Sequence, residues 1–435
     1  MIIILDILFR GINMKKITVA VIGCGSRGID AYSTIMSQGN KFKPVAFCDS
    51  RKVRLDLAKK KFGIKSDMLF LDEKKFFKKK LADLCIIATQ DRDHVRHAIN
   101  ALKLGYDVLC EKPITSDIKE CNKLIEAQKK YKKKVIICHV LRYAPAFVEV
   151  SKLLDSGVIG KLIDIDAIEQ VAYWHESHSY VRGNWRNSKT TSPMILAKCC
   201  HDMDLLQYYA KSRCKCISSM GSLDFFTKKN KPKGAADRCQ NCKYIDTCPY
   251  SAKTLYVKWW KDAGSPTTIW PCNVICTDYP LTAAKIKKAY ESNGYGRCVF
   301  SCDNNVVDHQ QSIITFENGI TANLCMTAFT GKAGRIYLFH GTYGEIDLNE
   351  EKRTLSVKVY GKKEKIIKFD DIIKKESMGH GGGDEALVDA LYNILTSKVN
   401  AQTTLQASIE SHLMCYAAEE SRLHDGKLVY IKHSK

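Results

Sequence analysis

Glycines, an aspartate and a lysine in the first third of the chain have the types and spacing needed to bind a dinucleotide. Gly23, Gly25 and Gly28 form the pattern G-x-G-x-x-G. Between a strand and a helix, such glycines permit a tight turn, approach of the backbone to a pyrophosphate, and close packing of helix on strand. Asp49 comes about 20 residues after the last of them, where an acid accepts hydrogen bonds from an adenosine ribose. Lys112 would add a cation able to stabilise an alkoxide beside the bound dinucleotide.

Short apolar runs place these residues at one edge of a predicted parallel sheet. The runs have the composition of strands buried on both faces, and they cover 17–22, 44–48, 84–89 and 107–110. Ligands of such sheets bind outside the carboxyl ends of the strands. The glycine pattern, Asp49 and Glu111-Lys112-Pro113 each follow a run directly. We therefore predict a doubly wound parallel sheet, a Rossmann domain, over residues 14–137.

Length, charge and hydropathy favour a two-domain enzyme over a nucleic-acid-binding or membrane protein. A chain of 435 residues exceeds the size at which single cores usually stop growing. The net charge of +21 comes from short lysine runs without interleaved aromatic residues, which is typical of a solvated surface. No apolar stretch reaches the roughly 18 residues of a membrane span. Residues 1–13 lack a basic start and a cleavage site. We predict a dispensable extension there and a cytoplasmic protein whose 19 cysteines stay reduced.

Seven motifs occur together between about residue 15 and the end of the chain. They are Gly23-x-Gly25-x-x-Gly28, Ala88-Thr89 with His94, Val108-Leu109-Cys110-Glu111-Lys112-Pro113, Arg142-Tyr143-x-Pro145, Gly157-x-x-Gly160, Lys198-x-x-His201-x-x-Asp204 and Gly341-Thr342-x-Gly344-Glu345. With this combination the chain resembles the glucose–fructose oxidoreductase, inositol dehydrogenase and rhizopine catabolism (Gfo/Idh/MocA) family. The resemblance implies a second, α/β domain over 138–435 with a large, mostly antiparallel open sheet. It also implies NAD(P) in the cleft, oxidation or reduction of a sugar or polyol hydroxyl, and a homo-oligomer, either dimer or tetramer.

The resemblance assigns the catalytic base to His201, on a helix that we predict over 194–209. Such a base takes the hydroxyl proton as hydride leaves the carbinol carbon. Lys198 lies three residues earlier on the same helical face, and with Lys112 it completes the predicted catalytic set. Ala197 departs from the family pattern, in which an aspartate here often completes a proton relay. Either Lys198 or another group replaces that acid, or the proton path differs; a packing role for His201 is the alternative.

The predicted cofactor site follows from the motifs of the first domain. Its members are Gly23, Gly25, Ser26, Arg27, Gly28, Asp49, Arg51, Thr89, His94, Glu111 and Lys112. Asp49 favours a free ribose 2′-hydroxyl, so NAD is expected over NADP. Arg51 is evidence for NADP instead, because its side chain could pair with a 2′-phosphate. Glu111 alternates to the other side of Lys112 in an extended segment, so we expect it to anchor the loop.

A polar and aromatic segment over 173–187 suits a polyhydroxylated ligand. Trp and Tyr would stack on a sugar ring, while Arg and His would bind hydroxyls or a carboxylate. The glycine-rich segment 379–385 is similar in kind, and its Asp384 is predicted to N-cap the next helix. The predicted substrate residues are Arg142, His175, His178, Arg182, Trp185, His201 and His380. A solvated loop, or a metal held by His175 and His178, are the alternatives.

Residues 224–302 have weak periodicity and are rich in Cys, Lys, Pro and Trp, which predicts an insertion in the second domain. Cys239, Cys242 and Cys248 have C-x2-C-x5-C spacing, which suggests a structural zinc site. A fourth ligand is open among Cys272, Cys276, Cys298 and Cys302. Zinc, an iron–sulfur cluster and unligated thiols all stay open at this point.

The leading functional hypothesis is an NAD(P)-dependent dehydrogenase of a sugar, sugar acid or cyclic polyol. Transient oxidation of a ring hydroxyl would also acidify the neighbouring C–H. A redox-assisted glycosidase or lyase that regenerates NAD is therefore one alternative. A non-catalytic dinucleotide sensor is the other, since Ala197 permits it while Lys112 and His201 argue against it.

Overall fold

The structure is a computed structural model, and it describes residues 16–373, 379–397 and 399–433. The predicted extension over 1–13 lies outside the described residues. Among the helices of the described ranges, none combines the length and the apolar character needed to cross a bilayer.

Six parallel strands form the first sheet, in the order β3-β2-β1-β4-β5-β6. They are β1 (Ile17–Ile22), β2 (Phe42–Cys48), β3 (Leu69–Phe70), β4 (Leu84–Ile87), β5 (Asp107–Cys110) and β6 (Val135–Ile137). β1 pairs with β2 on one side and with β4 on the other. The strand order reverses beside β1, so the ligand crevice of this sheet lies at the carboxyl end of that strand. The predicted doubly wound sheet is confirmed.

Side chains of β1 alternate between two cores, which explains why its sequence is apolar throughout. Val19 and Val21 lie in one core, and Ala20 and Ile22 lie in the other. The helices of this half are α1 (Thr34–Gln38), which continues the π-helical segment Ser26–Ser33, α2 (Lys52–Phe62), α3 (Glu73–Phe76), α4 (His94–Lys103) and α5 (Ile118–Tyr131).

Nine strands form the second sheet, in the order β14-β13-β12-β11-β7-β10-β9-β8-β15. They are β7 (Leu162–Gln170), β8 (Cys214–Ser222), β9 (His309–Phe316), β10 (Thr321–Thr327), β11 (Gly334–Gly341), β12 (Gly344–Asn349), β13 (Thr354–Val359), β14 (Lys365–Lys368) and β15 (Val429–Tyr430). β7 and β10 pair in parallel, and the other neighbours within the described ranges are antiparallel. The predicted large, mostly antiparallel sheet is confirmed.

The helices of the second half include one that the sequence predicted as continuous and that is broken in the structure. They are α6 (Pro145–Asp155), α7 (Tyr173–His175), which continues as the π-helical segment Glu176–Arg182, α8 (Met194–Ala197), α9 (Cys200–Ala210), α10 (Trp259–Asp262), α11 (Cys272–Ile275), α12 (Ala283–Ser292), α13 (Phe369–Ile372), α14 (Gly383–Thr396) and α15 (Leu405–Leu423). The single helix predicted over 194–209 is therefore wrong. Lys198 lies in the break between α8 and α9, and its ammonium contacts Glu169 of β7.

Helix α14 returns to the first sheet, which the predicted domain boundary at residue 137 did not anticipate. Leu387, Leu391 and Ile394 of α14 share a core with Val19 and Val21 of β1. The two halves of the chain therefore share packed side chains, and the segment just before α14 lies at the cleft between them.

Residues 224–302 form a small core of their own, made mainly by Tyr256, Trp260, Ile286 and Tyr290. Most of their ordered structure is short helices and turns, which agrees with the weak periodicity of the sequence. Trp174 packs against this core, with its ring 4.7 Å from that of Trp259. The insertion therefore lies against the predicted substrate segment.

Candidate active site

The glycine pattern forms the turn between β1 and the helical segment Ser26–Ser33. Gly23 has φ +91°, and a Cβ on Gly28 would lie 2.0 Å from the Gly23 carbonyl oxygen. Other side chains would force the backbone to move at either position. A Cβ on Gly25, by contrast, would meet nothing within 4 Å. The space beside Gly25 is open to a ligand, as the predicted pyrophosphate site requires.

Asp49 lies at the carboxyl end of β2, and its carboxylate is tied to the glycine turn. Its Oδ2 accepts a hydrogen bond from the Cys24 N–H at 2.8 Å, and its Oδ1 accepts from the Arg51 N–H at 2.9 Å. The Arg51 Nε lies 3.3 Å from the same Oδ1. Asp49 is therefore held rigidly at the predicted ribose position, and its charge is partly balanced by Arg51.

The guanidinium of Arg27 joins three parts of the chain. Its Nε donates to Glu111 at 2.6 Å, and its Nη1 and Nη2 donate to the two oxygens of Asp384 at 2.9 and 2.6 Å. Nη2 also donates to the Tyr32 hydroxyl at 2.6 Å. Burial alone would raise the pKa of Glu111 and of Asp384, but Arg27 outweighs burial and lowers both pKa values below their usual range.

This network changes the expected roles of Arg27 and Asp384 and agrees with the loop-anchoring role expected of Glu111. The Arg27 side chain is occupied by protein groups, so we no longer assign its guanidinium to the cofactor. Glu111 is buried and anchors the loop before Lys112. Asp384 makes no side-chain cap to α14, because its carboxylate turns toward Arg27 instead.

Lys112 follows β5 and reaches across the cleft. Its Nζ donates to the backbone carbonyl of Ala197 at 2.9 Å, at the end of α8. Ala197 is the position at which the resemblance expects an aspartate. A carbonyl oxygen therefore takes the place of the missing carboxylate as the acceptor for the Lys112 ammonium.

His201 lies in the middle of a group of imidazoles beside Lys112. Its ring centroid is 5.7 Å from that of His380 and 5.8 Å from that of His139. His201 is buried, and neither of its ring nitrogens has a hydrogen-bond partner among the described residues. Burial, reinforced by the Lys112 cation, lowers the pKa of His201 well below its ordinary value. The ring is therefore neutral near pH 7 and free to accept a proton.

His380 is the histidine of this group that is open to the solvent side. Its side chain is 33% exposed, and its Nδ1 lies 3.1 Å from the Asp384 carboxylate. Because Asp384 also holds Arg27, the network around the glycine turn orients His380 beside His201. His139 follows β6, and the sequence reasoning did not single it out; its position at the carboxyl end of a parallel strand was the available signal.

Lys198 belongs to a buried ion network rather than to the His201 helix face. Its Nζ lies 3.0 Å from Glu169, which also contacts Arg335 at 2.6 Å. Arg335 in turn contacts Asp202 at 2.8 Å. Burial alone would raise the pKa of Glu169, but Arg335 and Lys198 outweigh burial and keep its carboxylate ionised, with a lowered pKa. Lys198 is thus fixed near the cleft by a carboxylate.

Glu169 was missed by the sequence reasoning, although β7 carried the signal. Ile165, Ala167 and Glu169 alternate onto the buried side of the strand. A carboxylate in that register needs a cation, because an unpaired buried charge is costly. Lys198 and Arg335 supply it.

Within the segment 173–187, His175 lies near two lysines of the cleft, Lys198 and Lys112. Burial lowers the pKa of His175 well below its usual value, and Lys198 adds to the effect. His178 instead contacts the Tyr256 hydroxyl at 3.0 Å, and its ring stacks on Tyr295 at 4.9 Å. The Trp185 indole donates to Asp91 at 3.1 Å. We therefore retain His175 as a substrate candidate and treat the other two as contacts to the insertion and to the first domain.

Two arginines predicted to bind substrate are buried in other contacts. Arg142 pairs with both carboxylate oxygens of Asp204, at 2.6 and 2.8 Å. Arg182 donates to the carbonyls of Arg297 and Tyr250, at 2.7 Å each. We correct both assignments, because both side chains are buried and held by contacts within the protein.

His94 and Thr89 brace the loops around the cleft. The His94 Nδ1 lies 2.7 Å from the Pro113 carbonyl oxygen, and its Nε2 lies 3.1 Å from that of Thr89. The Thr89 hydroxyl lies 3.1 Å from the His97 ring. His94 is buried, so its side chain supports the segment that carries Lys112 and is not retained as a direct cofactor ligand.

Two family models match the chain and together cover most of it. Residues 17–139 match an oxidoreductase family with an NAD-binding Rossmann fold, and residues 151–429 match the C-terminal alpha/beta domain of an oxidoreductase family. The two matched ranges correspond to the two sheets described above.

Relatives and solved structures agree with these matches. The chain is 21% identical over 318 residues to the putative oxidoreductase YteT of Bacillus subtilis, covering 71% of this chain and 72% of that protein. It is 28% identical over 142 residues to the inositol 2-dehydrogenase of Salmonella typhimurium, covering 32% of this chain and 42% of that protein. An oxidoreductase from Agrobacterium radiobacter, solved with NAD+, L-tartaric acid and magnesium, superposes with a TM-score of 0.68 at 15% identity, covering 96% of this chain and 99% of that one. This last likeness shows the fold alone.

The glycine turn allows a paired test. Gly28→Ala should lower stability by about 3 kcal/mol or more, because its Cβ would overlap the Gly23 carbonyl. Gly25→Ala should leave the melting temperature unchanged or slightly raised, since its Cβ meets open space. The same Cβ should weaken NADH binding at least about 10-fold by blocking the pyrophosphate. Thermal unfolding and a fluorescence titration check both variants; wild-type NADH affinity in Gly25→Ala would contradict the assignment.

A substitution of Arg142 tests whether this residue stabilises the fold or binds the substrate. Arg142→Met should cost about 3–5 kcal/mol, because Asp204 would be left buried without its cation. Arg186→Met, which removes a partly exposed pair with Asp303, should cost about 1 kcal/mol or less. Urea unfolding measures both. A stable Arg142→Met protein with a raised KM alone would restore Arg142 as a substrate residue.

Proposed function

This chain belongs to the Gfo/Idh/MocA oxidoreductase family, and from that premise we propose that it is an NAD-dependent dehydrogenase of a sugar, sugar acid or cyclic polyol. The observation that carries the proposal is that Lys112 lies near His201, a neutral imidazole whose ring nitrogens have no hydrogen-bond partner among the residues that the structure describes. The polyol in the name of the Salmonella relative supports the substrate class.

The residues of the glycine turn fit the dinucleotide that the family implies. Gly25 leaves a cradle that a side chain would fill, and Asp49 is fixed beside it by the Cys24 N–H. NAD+, when bound, supplies the acceptor for a hydride. Every other part of the reaction falls to side chains of this chain.

His201 acts as the base in the proposed reaction. Loss of hydride from a carbinol carbon must be matched by loss of the hydroxyl proton, and a neutral imidazole within hydrogen-bond reach can take it. The low pKa of His201 keeps it in the accepting form. His380, fixed by Asp384, is the neighbouring imidazole through which the proton can leave toward solvent.

Lys112 stabilises the alkoxide that develops on the substrate oxygen. Its ammonium has three N–H donors, of which one is used by the Ala197 carbonyl. Its Nζ makes no other hydrogen bond to the described residues, so the other two N–H groups are available to the substrate oxygen. The neutral carbonyl orients the ammonium but leaves its positive charge in place. An aspartate at this position would have cancelled that charge. We propose that Lys198, held by Glu169, positions the α8–α9 break and orients substrate hydroxyls.

The catalytic assignment is tested after a thermal-shift screen of sugars and polyols with NAD+ has found the substrate. Lys112→Met and His201→Ala should each lower kcat by about 10²–10⁴ while leaving NAD affinity unchanged. Their effects should be less than additive, because both residues serve one proton-transfer event. His309→Ala, at the start of β9, is the matched control and should keep wild-type turnover.

Three outcomes decide between this proposal and its competitors. Near wild-type turnover in His201→Ala would move the base to another group, with His380 as the next candidate. If Lys112→Met protein still binds NAD and keeps its full effect in the cell although it has lost dehydrogenase activity, a non-catalytic sensor would be favoured. Release of an aglycone from a glycoside without net NADH absorbance at 340 nm would identify redox-assisted cleavage.

We propose NAD over NADP because the Asp49 carboxylate, at the predicted ribose position, would repel a 2′-phosphate. Wild-type protein should bind NADH at least about 10-fold more tightly than NADPH, and Asp49→Ser should reduce that preference. Arg51→Ala is the control, since the Arg51 guanidinium is already paired with Asp49. Calorimetric titration measures the affinities of all three proteins for NADH and NADPH; equal or tighter NADPH binding by wild type would overturn the proposal.

The expected homo-oligomer likewise stays a proposal.

A further inference from the structure

Four cysteines of the insertion line one cavity, apart from the proposed active site. The cavity is about 440 Å³, and its walls include Cys239, Cys242, Cys248, Cys298 and Arg182. The sequence spacing predicted the first three thiols as a set and left the fourth open. Among the described residues, the structure brings Cys298 to this cavity.

Local backbone contacts explain why Cys298 joins the set. Cys239 begins a tight turn closed by the Cys242 N–H, which donates to the Cys239 carbonyl at 3.1 Å. A bridge between Arg238 and Arg297 lies next to this turn, and the Cys298 N–H donates to the Asp237 carbonyl at 2.8 Å. Two segments nearly sixty residues apart in sequence are thus tied beside one another at their cysteines.

The other candidates for the fourth position face elsewhere. Cys272 donates to the Tyr256 carbonyl at 3.3 Å and lies in the apolar core of the insertion. The Cys276 sulfur lies 3.9 Å from the Asp278 carbonyl oxygen, and neither Cys272 nor Cys276 is part of the cavity wall. Cys302 donates to the Cys298 carbonyl at 3.3 Å and is not part of the cavity wall.

Arg182 supplies an independent sign that an anion belongs here. The residue is 3% exposed, and its side chain donates to two backbone carbonyls and, from Nη2, to the Cys239 sulfur at 3.7 Å. Within the described part of the chain its Nη1 has no hydrogen-bond partner, and no carboxylate lies within ion-pair distance of it. A buried guanidinium without a counter-charge is costly. Metal-bound thiolates would provide that charge.

We propose that Cys239, Cys242, Cys248 and Cys298 bind one metal centre as four thiolates, with Arg182 as the buried cation that balances it. Four thiolates on a divalent ion carry a net charge of −2, which Arg182 offsets in part.

The distances between the four sulfur atoms indicate which metal centre they could bind. No three of the four sulfur atoms lie within 4.8 Å of one another. A single zinc ion, with Zn–S bonds of about 2.3 Å, needs sulfurs about 3.8 Å apart, so the thiols must close in around it. An iron–sulfur cluster holds its thiolates further apart. Both are four-thiolate centres, and direct analysis separates them.

The centre would fix the segment that carries His175. Arg182 ends the helical segment Glu176–Arg182, which directly follows α7. Its guanidinium contacts the Cys239 sulfur and the Tyr250 and Arg297 carbonyls, which belong to three separate segments of the insertion. A metal that closes the four thiols would therefore clamp the insertion onto the cleft segment.

The test uses the full chain purified without oxygen and analysed for zinc, iron and acid-labile sulfide. Samples found empty are incubated with zinc chloride, or with ferrous iron and sulfide, and analysed again. We expect about one zinc or one cluster per chain in wild type and in Cys302→Ser, and loss of most of it in Cys298→Ser and in Cys242→Ser. Zinc without sulfide, or iron with sulfide, tells the two centres apart.

A measurement on unmodified protein covers the case in which the serine variants do not fold. Chelation of the wild type should lower its melting temperature by several degrees, and addition of the same metal should restore it. Wild type that stays metal-free after both incubations would overturn the proposal. So would wild-type metal content in folded Cys298→Ser.

Discussion

The Arg27 guanidinium connects three segments that line the cleft. Arg27 belongs to the glycine turn, yet its side chain is bound by Glu111, just before Lys112, and by Asp384, just after His380. Arg27 is the cation for both buried carboxylates, so its loss would leave two buried negative charges without their partner. The position of the dinucleotide turn is thereby linked to the positions of the lysine and of one histidine. Helix α14 packs on the first sheet next to these contacts and makes the link rigid.

The second feature of the cleft is that cations surround buried imidazoles. Lys112 and Arg335 both act on His201, and burial acts in the same direction, so its pKa is lowered well below the ordinary value. A neutral base beside a fixed ammonium is the arrangement that alcohol oxidation needs, since one group takes the proton and the other stabilises the oxygen. Ala197 belongs to this arrangement. Its carbonyl orients Lys112 but carries no full charge, so the base next to it stays neutral.

The sequence was most informative where a residue type has one structural meaning. The glycine pattern, Asp49 and the runs around β1 predicted the first sheet and its ligand edge, because each position tolerates few alternatives. The arginines were predicted less well. Arg142 and Arg182 have the chemistry to bind a sugar, but whether a guanidinium faces a cleft or a buried Asp204 depends on contacts between distant segments. The break at Lys198 escaped prediction for the same reason, since only the fold brings Glu169 within its reach.

The account depends most on a neutral His201 that accepts the substrate proton. The direct measurement is the pH dependence of hydride transfer in a single turnover, followed as NADH absorbance at 340 nm with protiated and deuterated substrate to isolate that step. A group with a lowered pKa keeps its base form as the pH falls, so the rate should stay constant from about pH 8 to about pH 6 and decline only below that. A rate that halves near pH 6.5–7, where an ordinary histidine titrates, would contradict the account.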